Sequence, residues 1–191
     1  MRFVNVLLPI LIAALPLAAA AQARPSAKDP GQVVPVEIGL GYAYFHANAP
    51  PSGCGCFSLN GGTGSMAING RHGISVVVDF SGAHASQINN TAENITILDY
   101  LVGPRYSFRS HSRFTPYVQV LLGGSSEFTN SVAVRNASAF AFSAGGGLNT
   151  VISHHWGWNI VEADYIYSQL PNGVNSYQSD FRATSSLLFR F

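Results

Sequence analysis

The sequence is poor in charge: Asp, Glu, Lys and Arg make up only 10% of it, against roughly 25% in a typical soluble domain. Lys28 is its single lysine. Two cysteines, Cys54 and Cys56, are too few for a disulfide scaffold or a cysteine-rich zinc module. Beyond residue 23, no apolar run approaches the ~20 residues of a membrane helix. The net charge is +1. Setting aside Arg2, nine basic residues balance nine acidic ones. That balance excludes an electrostatic nucleic-acid footprint. What the chain does have is glycine (19 residues) and aromatics (12%). Low charge with many glycines and aromatics, and no apolar helix, is the composition of a membrane β-barrel.

The first residues read as an export signal. Arg2 precedes an apolar stretch, Val6 to Ala21, broken by Pro9 and Pro16. Both Ala19-Ala20-Ala21 and Ala21-Gln22-Ala23 fit a small-residue cleavage site. Residues 1–23 are therefore expected to be a signal peptide and 24–32 a polar periplasmic leader. A barrel is expected over 33–191.

Alternation dominates that region. The closing stretch, DFRATSSLLFRF, places Phe181, Ala183, Ser185, Leu187, Phe189 and Phe191 on one strand face. Arg182 and Arg190 fall on the other. Alone, this could be an amphipathic edge strand. Similar two-faced patterns recur from Val33, Ile74, Ile95, Phe114, Ser138 and Val161, with a weaker, glycine-rich strand over 59–69. Eight strands are predicted, with connections that alternate long and short. This is an up-and-down barrel with short periplasmic turns and longer external loops at 46–58, 83–94, 125–137 and 169–178.

A lipocalin-like cup would reverse the faces. The aromatics decide between them. Tyr42, Tyr44, Phe80, Tyr100, Phe140, Phe142, Tyr165, Tyr167 and Phe181 gather at one end. Tyr106, Phe108, Phe114, Trp156, Trp158, Phe189 and Phe191 gather at the other. Two girdles separated by aliphatics match the two membrane interfaces. Glu37, Asp79, Asp99, Arg105, Glu162, Asp164, Arg182 and Arg190 then point into the lumen. Glu37, Asp79, Asp99 and Glu162 are expected to meet Arg105, Arg182 and Arg190 in an ion network that plugs it.

YLVGPRYSF (100–108), TPYVQVLLGG (115–124), FSAGGGLN (142–149), VEADYIYS (161–168) and SSLLFRF (185–191) resemble the small OmpA-like or opacity-protein-like outer-membrane barrels. The resemblance implies an eight-stranded transmembrane barrel in the bacterial outer membrane. It also implies insertion by the outer-membrane assembly machinery, with Phe189 and Phe191 as the assembly signal, and function in the external loops. Outer-membrane lipid and lipopolysaccharide are the expected partners, and a monomer the expected state. The chain ends on the last strand, so the peptidoglycan-binding role of larger OmpA-type proteins is not carried over.

The candidate chemistry is sparse. Cys54-Gly55-Cys56 could form a tight local disulfide, pair between chains or remain free. Metal binding there would need more ligands than His46. His84, Ser86 and Glu93 have the residue types of a lipid A deacylase triad, but they lie in a polar loop. His154-His155 reads as a solvated turn. The sequence therefore predicts a non-enzymatic barrel without cofactor or metal, with a role in envelope integrity or surface interaction. A lipid A-modifying hydrolase is the alternative.

Overall fold

The computed structural model describes residues 35–49, 55–86, 94–108, 113–129, 136–170 and 176–191. The expected signal peptide and leader lie outside the described residues. Eight antiparallel strands close into one barrel in sequence order. They are β1 (Val36–Ala49), β2 (Gly55–Asn69), β3 (Ile74–Ala85) and β4 (Ile95–Ser107), then β5 (Phe114–Thr129), β6 (Ala137–Val151), β7 (Trp156–Ser168) and β8 (Gln178–Arg190). Closure removes every sheet edge, as a lipid environment requires.

The register fixes the barrel's geometry. Paired residues lead from Gly39 through Ser65, Asp79, Leu101, Gly123, Ala141 and Ser168 to Gln178 on β8. Gly39 itself pairs with Leu188 on β8, so the wall closes with a stagger of ten residues. Such a stagger tilts the strands around a lumen narrow enough for side chains to fill. At two glycines of the wall a side chain would have no room. A Cβ on Gly103 would lie 2.1 Å from the Val120 carbonyl oxygen, and one on Gly123 would lie 2.0 Å from that of Tyr100.

The alternation predicts the faces correctly. Leu40, Tyr42, Val76, Phe80, Tyr100, Val102, Val118, Val120, Tyr165, Phe181 and Leu187 all stand exposed on the outer wall. Glu37, Asp79, Asp99, Arg105, Glu162, Asp164 and Arg182 are buried inside. Polar-in and apolar-out is the reverse of a soluble barrel and is the arrangement of a transmembrane one.

Several strands run further than their composition suggests. Of the stretch expected as a loop from Ser125 to Ala137, Ser125 to Thr129 instead complete β5 and Ala137 opens β6, while 130–135 lie outside the described residues. Ser126 and Ser138 face each other there, with their hydroxyls 2.8 Å apart. The wall therefore continues as a polar ribbon beyond its apolar band. In the same way β3 takes in His84, and Trp156 begins β7 instead of closing a turn. The glycine-rich segment is a full strand, β2.

One irregularity holds two patterns together. Between β6 and β7 the register shifts: Leu148 pairs with Val161, but Asn149 pairs with Asn159. Ile160 is the extra residue of a β-bulge. Trp156 and Trp158 thus face outward, at 44% exposure each, while Glu162 and Asp164 face inward at 5% and 1%. Without the bulge, even-numbered residues on both sides of it would share one face. Ser185 completes the site, receiving the Trp158 Nε1–H at 3.0 Å and donating to the Asn159 carbonyl at 3.1 Å.

Candidate functional site: the ion network of the lumen

Arg182 stands at the centre. Strand β8 turns it inward between the outward Phe181 and Ala183, and none of its surface is exposed. A buried cation needs several anionic or polar acceptors. Its Nη1 donates to Asp79 Oδ1 at 2.5 Å and to Ser81 at 2.8 Å, reaching β3 across the lumen. Its Nη2 donates to Asp164 Oδ2 at 2.7 Å, and Nε reaches the same oxygen at 3.2 Å. Glu162 Oε1 lies 3.4 Å from Nη2.

Arg105 of β4 supplies the second cation. Its Nε and Nη2 converge on Gln119 Oε1 at 3.0 and 2.8 Å. Its Nη2 lies 3.4 Å from Glu162 Oε2, and its guanidinium stacks 4.1 Å from the Tyr117 ring centroid. The Tyr117 hydroxyl donates to Glu162 and receives Asn159 Nδ2 at 2.5 Å. Gln119 Nε2 returns a bond to Asp164 at 3.2 Å. Strands β3, β4, β5, β7 and β8 are thereby cross-braced through one polar cluster. A separate pair, Arg190 Nε to Glu37 Oε2 at 2.7 Å, sits nearer the end that carries both termini.

Of the seven residues expected in the network, Asp79, Arg105, Glu162 and Arg182 meet in the main cluster, and Glu37 meets Arg190. Asp99 does not join. It is buried between Ser81 and Ser125, and neither carboxylate oxygen has a hydrogen-bond partner. The nearest guanidinium, Arg182, is already fully engaged by Asp79, Ser81, Asp164 and Glu162. Asp164, Tyr117, Gln119 and Asn159 are part of the cluster without having been singled out for it. Inward parity was the available signal for Asp164, two positions beyond Glu162.

The space left is small. A polar void of about 10 Å³ lies among Thr63, Ser65, Asp79, Arg105, Asn159 and Glu162, which is room for about one water. Toward the distal end the lumen turns apolar, with Phe45, Leu59, Ile97 and Ile166 packed among alanines. Glu127, expected in a loop, sits on β5 and accepts a bond from Gln178 at 2.9 Å.

The other candidates are scattered. His84 faces outward near the distal end of β3, with Nδ1 2.9 Å from the Thr96 hydroxyl. Ser86 is exposed just beyond that strand, and Glu93 lies outside the described residues. Cys54 also lies outside them, while Cys56 has its backbone in β2 opposite Asn48. His154 and His155 pack edge to face in the β6–β7 turn, and Phe189 and Phe191 do so at the end of β8.

A family profile described as "Outer membrane protein beta-barrel domain" matches residues 10–186. No curated protein matches the chain. Neisserial surface protein A superposes with a TM-score of 0.61 at 12% identity, covering 82% of this chain and 97% of that one. OprG of Pseudomonas aeruginosa gives 0.59 at 11% identity, covering 86% and 99%. Ail, the attachment invasion locus protein of Yersinia pestis, gives 0.58 at 15% identity, covering 82% and 97%. At such identities the likeness is one of fold.

Proposed function

This chain belongs to the outer-membrane protein β-barrel family, and on that premise we propose that it is a non-enzymatic barrel serving envelope integrity or surface interaction. The observation that carries this reading is the clamped, fully buried Arg182. A lumen closed at mid-height by a cation and three carboxylates is a brace, not a passage. The barrel then acts as a rigid stem, and recognition falls to the distal ends of its strands and the loops between them.

In this reading the terminal end faces the periplasm and residues 1–23 are removed on export. The assembly machinery receives the strand that ends in Phe189 and Phe191. The mature barrel works as a monomer among outer-membrane lipid and lipopolysaccharide.

Swelling of protein-containing liposomes in a small sugar tests the closed lumen. Swelling no faster than in protein-free liposomes is expected, and rapid swelling would overturn the reading. Lipid A mass spectra test the catalytic alternative. Cells with and without the protein should give the same acyl pattern; loss of a chain that Ser86→Ala prevents would make the protein a hydrolase.

A further inference from the structure

We infer that the terminal rim of the barrel is a docking surface for anionic phospholipid headgroups. The inference rests on membrane insertion and not on the surface role proposed above.

The described arginines divide cleanly. Arg105, Arg182 and Arg190 are committed to lumen carboxylates. The other two, Arg71 and Arg113, are exposed, and both lie at the terminal rim. Arg71 sits with His72 in the 3-10 turn joining β2 to β3, and Arg113 immediately precedes β5. His154 and His155 occupy the β6–β7 turn and are likewise exposed. All three short connections at this end therefore carry a cation or an imidazole donor, and no acid stands among their described residues. Glu37 is the acid at this end, held by Arg190 at 2.7 Å.

The distal wall has no counterpart. Its outward polar residues include His46, Ser58, Asn60, His84, Thr96 and Ser138, so imidazoles occur there too, but no lysine or arginine does among the described residues. Among the described residues, phosphate groups of the outer leaflet find no fixed cation there.

Aromatics set the depth of the rim cations. Arg113 adjoins Phe114 (51% exposed), and His155 adjoins Trp156 (44% exposed). Aromatic belts settle at the membrane interface. A base one residue beyond the belt reaches phosphate height by extending its side chain. A basic side chain near an anionic surface gains enough attraction for about a fivefold preference. Free phosphate would gain the charge contact but not the anchorage of its acyl chains beside the belt.

The protein carries its own probe, because both of its tryptophans, Trp156 and Trp158, lie at this rim. The intact protein, folded in phosphatidylcholine vesicles, is doped with a few mole per cent of brominated lipid. Brominated phosphatidylglycerol is expected to quench the tryptophans as if enriched about fivefold over brominated phosphatidylcholine. The preference should fall to near parity in Arg71→Gln/Arg113→Gln and in molar salt. Heat-modifiable migration in gels shows that the variant has folded. Equal quenching by the two lipids, or a preference that survives in the folded variant, would overturn the inference. Relief of quenching by inorganic phosphate or polyglutamate at matched ionic strength would also overturn it, assigning the rim to a soluble anion or an acidic protein.

Discussion

Arg105 and Arg182, on strands four positions apart, share one carboxylate: each has its Nη2 3.4 Å from an oxygen of Glu162. Neither contact is short. Glu162 is the hinge of the cluster, whereas Asp79 and Asp164 are its tight clamps on Arg182.

That hierarchy predicts unequal costs. Arg182→Met leaves Asp79 and Asp164 buried without their cation and should destabilise the barrel by about 3–5 kcal/mol. Glu162→Gln keeps the shape and most of the donors and should cost clearly less. Urea unfolding in vesicles, followed by tryptophan emission, measures both. A loss below about 1 kcal/mol for Arg182→Met would mean that the network does not brace the wall.

The bulge at Ile160 should be indispensable. Deleting Ile160 forces a choice between turning Trp156 and Trp158 into the lumen and turning Glu162 and Asp164 toward lipid. A basic residue facing the lipid midplane costs about 2–4 kcal/mol and an acid somewhat less, and two acids would be exposed together. The deletion variant is expected to lose heat-modifiable migration, while Ile160→Val is expected to retain it.

His72 adopts φ 60° and ψ 24°, the left-handed region. A β-branched side chain is poorly tolerated there. His72→Gly should hold or raise stability, by up to about 1 kcal/mol, and His72→Val should lower it by a similar amount. Equal unfolding midpoints for the two variants would count against this geometry.

Tyr100 lies across Gly124, its register partner, on the outer wall. A Cβ on Gly124 would fall 2.5 Å from the Tyr100 hydroxyl and 2.6 Å from its ring. The ring lies on the exposed outer wall and can swing aside, so Gly124→Ala should cost only about 0.5–1 kcal/mol. Tyr100→Ala should cost less in the Gly124→Ala background than in the parent, a coupling of at least about 0.5 kcal/mol. Strict additivity would show that ring and glycine do not interlock.

The faces of β1, β3, β4, β6 and β8 were legible because side chains alternate with period 2 whatever the neighbours do. Strand ends were not. Ser125 and Ser126 look like loop residues, yet they pair as wall beyond the apolar band. The bulge left no mark because Val161 onward alternates correctly by itself, and Trp156 and Trp158 resemble turn residues beside His154 and His155. The parity of Asp99 was also correct. What it could not reveal is that one guanidinium has a finite number of donors, and those of Arg182 are spent elsewhere.

The seam between β1 and β8 closes over the longest separation in the chain. Arg190 meets Glu37 from 153 positions away, and the Phe191 amide donates to Val36. Arg182 also arrives on the last strand, whereas its acids Asp79 and Asp164 are on β3 and β7. Until β8 docks, those carboxylates enclose a lumen without their central cation. The strand that closes the barrel is thus also the one that brings Asp79 and Asp164 their cation. Closure of the seam and delivery of that central cation therefore coincide.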